Sequence, residues 1–160
     1  MSMGTRTDVA LASGWFGAGL SDATRARLAA LADLAAIPAG TVVLREGAAV
    51  DSFGVVVDGR LSIRLAVPGR GSATVLTIEP GDCIGWSALV PPHRATSTVV
   101  AIEPTTVVLF DGPALRAALD ADPALAAAVL WRVLDAVSRR LTATRTQLLD
   151  LFSQTDREPW

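Results

Sequence analysis

A chain of 160 residues, 51% apolar and 19% charged, holds enough apolar material for one packed domain and too much for a disordered segment. Its formal charge of −2 gives no electrostatic reason to bind nucleic acid, and no apolar run approaches the roughly 20 residues of a membrane span. The lone cysteine, Cys83, excludes an internal disulfide and suits a reducing cytoplasm, and the N-terminus lacks the pattern of a secretion signal.

Residues 1–14 are small and polar and are expected to be flexible. Trp15, Phe16 and Leu20 precede the N-cap pair Ser21-Asp22, and Leu28, Leu31 and Leu34 follow at helical spacing. That spacing predicts a helix ended by Pro38-Ala39-Gly40. Short β-branched runs then occupy 41–45, 53–57, 61–67, 73–78, 97–102 and 105–110, parted by Gly47, Asp58-Gly59, Pro68-Gly69, Pro80-Gly81 and Glu103-Pro104. Many short strands between such turns predict a sandwich or barrel, which completes a domain over 15–122.

Asp111-Gly112-Pro113 opens a short helix and Asp122-Pro123 a long one over 123–152, with a flexible tail at 153–160. On the long helix Leu130, Leu134, Val137, Leu141, Thr144, Leu148 and Leu151 recur at alternating spacings of four and three. A helix of about 28 residues runs roughly 42 Å, more than a small barrel covers. The stripe is therefore predicted as a homodimer seam, with Leu130, Leu134, Val137, Leu141, Leu148 and Leu151 at the interface. Packing on the chain's own barrel is the alternative.

The segment from Gly81 to Ala101 carries the chemistry. Gly85 precedes Trp86-Ser87-Ala88-Leu89, enough for one helical turn, and Arg94 and a β-branched run follow. Backbone N–H groups at a helix start beside a guanidinium suit an anion or a phosphate. All 14 basic residues are arginine, however, a bias that GC-rich codons explain without any phosphate chemistry. His93 and Cys83 alone do not make a metal site, and no nucleophile–base or paired-carboxylate arrangement stands out. Neither an enzyme nor a resident cofactor or metal is expected.

Gly40, Gly47 and Gly59, with Glu46 and Phe53 among them and Gly81 and Gly85 after them, resemble the glycine skeleton of the cyclic nucleotide-binding domain family. The helix–barrel–helix order agrees over roughly residues 15–152. The chain is most similar to the sensor half of the catabolite activator and fumarate–nitrate regulator group. The resemblance implies a mainly β fold, a double-stranded β-helix or jelly-roll barrel with an N-terminal helix and a long C-terminal dimerisation helix. It also implies cAMP or cGMP as ligand, a bacterial regulatory role, and a binding set of Gly85, Trp86, Ser87, Ala88, Arg94, Ala95, Thr96 and Thr144. Thr144 enters because it follows Arg139-Arg140-Leu141 at the group's spacing.

Two departures bear on that set. Trp86 stands where the family has a glutamate that hydrogen-bonds the ribose, and indole offers one donor and no acceptor. Arg94 stands seven residues before Ala101 rather than six, so Ala95 takes the matching place, and on a strand a one-residue slip reverses the face. Three readings follow: a sensor of a small phosphate-bearing ligand that signals through the dimer helix; a degenerate domain that only dimerises or docks an unidentified protein; and a sensor fragment of a transcription regulator. The sequence stops about eight residues beyond the heptads, so no DNA-reading domain and no nucleic-acid partner are expected of this chain alone.

Overall fold

The computed structural model describes residues 3–69 and 71–155. Three short helices lead the chain: α1 (Met3–Ala12), α2 (Trp15–Ala18) and α3 (Asp22–Ala29). Within the N-terminal stretch expected to be flexible, Met3–Ala12 forms α1, which buries Thr7 and Leu11 completely. The Ser21 hydroxyl accepts the Thr24 N–H at 3.2 Å and starts α3 as the cap signal predicts.

The helix predicted to reach Pro38 ends at Ala29 instead. Ala32–Ile37 forms β1, and all six of its residues pair with β8 (Thr105–Asp111). Alanine has little strand preference of its own, and here the ladder to a neighbouring strand outweighs it. Leu28 keeps its buried place on α3, while Leu34 packs from the strand.

The other strands are β2 (Val42–Leu44), β3 (Ser52–Asp58), β4 (Leu61–Val67), β5 (Gly71–Ile78), β6 (Cys83–Ile84) and β7 (Thr98–Ala101). They form two antiparallel four-stranded sheets, ordered β1-β8-β3-β6 and β2-β7-β4-β5, the connectivity of a jelly roll. Alternation along β8 shows how the layers stack. Val107 faces the space between the sheets with Val56, Ile84 and Val99, whereas Val108 and Phe110 face the helices. The first sheet is thus covered on both sides, which explains the unbroken apolar run from Val107 to Phe110. On its helical side Phe16, Phe53 and Phe110 stack in a tilted row with centroids 5.7 and 5.8 Å apart.

After β8 come α4 (Gly112–Ala121) and α5 (Pro123–Thr155). Asp111 caps α4 through the Ala114 N–H at 2.9 Å. Asp122 caps α5 through the N–H groups of Ala124 and Leu125, at 2.9 and 3.1 Å, and also pairs with Arg27. The 33 residues of α5 span about 50 Å. Its buried face is Leu125, Val129, Val133 and Ala136, which close the helical side of the core. Among the described residues no helix is long and apolar enough to cross a membrane.

A candidate ligand site between the barrel and the long helix

Gly85 follows β6 with φ of +68°, and a side chain there would stand 2.2 Å from the Ser52 carbonyl oxygen, so the backbone admits only glycine. The chain then makes one 3-10 turn over Trp86–Ala88. Ser87 and Ala88 are buried, and the Ala88 N–H donates to the Gly85 carbonyl at 2.9 Å. That donor, expected to be free for an anion, is therefore in use. His93 folds back so that its ring Nδ1–H donates to the Ser87 carbonyl at 2.9 Å, which gives the only histidine a structural partner.

Arg94 and Ala95 run antiparallel to the turn between β2 and β3. The Gly47 N–H donates to the Ala95 carbonyl at 2.8 Å, and the Ala95 N–H to the Ala48 carbonyl at 2.9 Å. In this extended segment neighbours point opposite ways. Ala95 is buried and lines the void between the sheets, whereas Arg94 is exposed and donates to the Gly47 carbonyl at 2.8 Å. Of the expected binding set, Arg94 is not among the residues that line the two spaces beside Trp86.

Two spaces meet at Trp86. Between the sheets lies a void of about 20 Å³, room for a single water, lined by Ile63, Ile84, Gly85, Ser87, Ala95 and Thr96 among others. Outside it, between β4, β5 and α5, lies a cavity of about 260 Å³. Its walls are Ile63, Leu65, Val75, Leu76, Trp86, Val137 and Leu141, with Thr96, Ser97, Thr144 and Arg140 as polar members. Trp86, Thr96 and Thr144 of the expected set thus converge on this cavity; Gly85, Ser87 and Ala95 border the inner void, and Ala88 belongs to the helical core.

Arg140 was not foreseen, although it borders both spaces. The signal was present in the sequence: it follows Ala136 and precedes Thr144 by four, and so continues the barrel-facing stripe of α5. One Nη donates to the Cys83 carbonyl, two residues before Gly85. The preceding Arg139 reaches Asp82 at 3.1 Å and lies 3.8 Å above the ring of Trp15. The two arginines therefore fasten α5 to the turn that leads into Trp86. Burial pushes the Cys83 thiol up to about 11, so it stays protonated and unreactive at neutral pH. Among the described residues no group of His, Cys, Asp and Glu gathers as a metal site would require.

The domain architecture has known counterparts. A family model described as the cyclic nucleotide-binding domain matches residues 34–122, more than half of the chain. The chain belongs to the cyclic nucleotide-binding domain family. It is 42% identical over 65 residues to the acetyltransferase Pat of Mycolicibacterium smegmatis, covering 41% of this chain and 19% of that protein. To the cGMP-dependent protein kinase, isozyme 1, of Drosophila melanogaster it is 30% identical over 87 residues, covering 53% and 11%. These matches thus span less than a fifth of either relative's length. Among solved structures, a Geobacter metallireducens GS-15 protein named for cyclic nucleotide binding superposes with a TM-score of 0.72 at 27% identity. That match covers 88% of this chain and 99% of the other. The fold is the mainly β domain with flanking helices that this family shares.

Proposed function

We propose that this chain is a non-enzymatic regulatory module that self-associates through α5 and does not hold a cyclic nucleotide in the usual cassette arrangement. One observation carries the reading. Leu130, Leu134, Leu141 and Leu148 lie along one side of α5 and are 44–60% exposed, beside the still more exposed Trp131. Returning each half-exposed leucine to an apolar contact is worth roughly 1 kcal/mol. A second copy of the same helix, related by a two-fold axis, supplies such a contact with the same stripe.

The seam is narrower than the heptads imply. Val137 and Thr144 are half-buried toward the barrel, which leaves the exposed stripe to the four leucines; the side chain of Leu151 lies outside the described residues. Sedimentation at micromolar concentration is expected to give a dimer. Leu141→Glu together with Leu148→Glu should give a folded monomer by circular dichroism. A wild-type monomer would overturn the proposal.

Cyclic nucleotide binding is the second reading, favoured by the family and by the glycine-only turn at Gly85. It requires Arg94 to leave Gly47 and the inner void to expand. Calorimetric titration with cAMP and cGMP separates the two readings, and affinity weaker than about 1 mM is expected, since charge-assisted bonds to both phosphate and ribose are missing. Sub-micromolar binding would favour the second. With its charge of −2, the chain is expected to show no salt-sensitive affinity for duplex DNA.

A further inference from the structure

We infer that the cavity between Trp86, the β4–β5 hairpin and α5 is a binding site for a small carboxylate with a flat apolar body, and that Arg140 receives the carboxylate. Three features of the cavity support this. Among the described residues, Arg140 is the only charged side chain that lines it. Its guanidinium has five donors, of which one is engaged by the Cys83 carbonyl, and among the described residues it has no acidic partner. Arg139, one residue away, has both Asp82 and Asp135 within 4 Å.

The remaining wall selects the rest of the ligand. Trp86, Leu65, Val75, Leu76 and Val137 line an open cavity of about 260 Å³, just below the usual range of roughly 300–1,000 Å³ for ligand pockets. Apolar walls on several sides exclude part of the water and strengthen a guanidinium–carboxylate pair modestly over its value in bulk water. Thr96, Ser97 and Thr144 add hydroxyls that can donate to the second carboxylate oxygen or to a ring substituent. The planar fork of arginine fits a planar carboxylate with two parallel bonds, and the indole of Trp86 in the wall is an aromatic surface against which a flat ring can pack. Leu141 lines the same cavity and also stands on the exposed stripe, so an occupant touches the helix face proposed for self-association.

The test is calorimetric titration of the whole chain with 2-naphthoate and benzoate, with 2-naphthamide as the uncharged match. Naphthoate is expected to bind at least tenfold more tightly than the amide. Arg140→Gln should remove that difference, while Arg94→Gln, outside the cavity, should leave it intact. Should Arg140→Gln fail to fold, Trp86→Glu serves: it removes the apolar face and places an internal carboxylate beside Arg140, so naphthoate binding should fall at least tenfold. Equal affinity for acid and amide, unchanged binding in Arg140→Gln or Trp86→Glu, or no binding of either acid at millimolar concentration would each overturn the proposal. Tight cAMP binding that displaces naphthoate and disappears in Arg140→Gln would overturn the ligand class by assigning the site to a phosphate. Dimerisation is measured separately by sedimentation, so failure at this site leaves the proposal of self-association standing.

Discussion

From Pro123 to Val137, α5 turns Leu125, Val129, Val133 and Ala136 into the helical core, and each is buried. From Leu141 to Asp150 the same helix has no buried residue; only Thr144 and Gln147 are even half covered, against the β4–β5 hairpin. Arg139 and Arg140 stand at the border and tie the helix to Asp82 and Cys83. One continuous helix therefore has an anchored half, whose buried side belongs to the domain's stability, and an offered half without such a side; of the proposed seam, Leu130 and Leu134 lie on the exposed side of the first and Leu141 and Leu148 on the second. The difference teaches which contacts hold each half in place. A change at the border can move the offered half without unfolding the anchored one, because the two depend on different contacts.

The comparison is broken most severely by charge in the anchored half. Val133→Asp would place an unpaired carboxylate in the core beside Leu125 and Val129, at a cost on the order of 3–5 kcal/mol. Thermal unfolding should fall by about 10 °C or more at every protein concentration. Leu148→Asp, in the offered half, should lower only the concentration-dependent part of the melting temperature. Equal losses from the two substitutions would show that the halves are not distinct.

A second measurement sharpens the border itself. Arg132 and Arg139 both approach Trp15, at 5.7 and 3.8 Å from the ring centre, and so join α2 to α5. Cation–π contacts at partly exposed sites are worth about 0.5–1 kcal/mol. A double-mutant cycle of Trp15→Leu and Arg139→Gln, followed by urea unfolding, should give a coupling of that size. A coupling indistinguishable from zero would mean that Arg139 holds the helix through Asp82 alone.

The anchored half and the barrel were largely legible in the sequence, because their signals are local. Ser21, Asp111 and Asp122 cap helices as their positions imply. The β-branched runs coincide with β2–β5, β7 and β8 to within about two residues, as a period-2 pattern with turn glycines allows. Misreadings occurred where local preference and tertiary pairing disagree. Ala32–Ile37 is alanine-rich and becomes a strand only because β8 lies beside it, and the two-residue β6 is too short to carry a pattern. At the site, the glycine spacing located Gly85 and Trp86, and the one-residue slip identified the doubt over Arg94. Which way that arginine points depends on the ladder to Ala48 and Ala49, a contact across some 45 residues that no local motif encodes. Arg140 lies off the heptad positions, on the barrel-facing side of α5, so the heptad pattern does not mark it.

The smallest expected effect lies at the start of the anchored half and follows from titration. The Asp122 carboxyl is held below its ordinary value of 3.8, first by the hydrogen bond from Arg27 and next by the backbone N–H of Leu125. A depressed folded-state value means that the unfolded chain binds the proton more readily. The contribution is therefore fully present above the unfolded value and is lost as pH falls through the folded one. Asparagine retains the cap, since it accepts the same N–H groups, and removes only the charge. Asp122→Asn should then be modestly less stable than the wild type near pH 7, and the gap should narrow as acid protonates the wild-type carboxyl. Urea unfolding of both proteins across a series of pH values from 7 downward measures it. A gap that persists undiminished in acid would mean that the aspartate acts through the shape of the cap and not through its pairing with Arg27, and α3 would then have no charge-dependent hold on the start of α5.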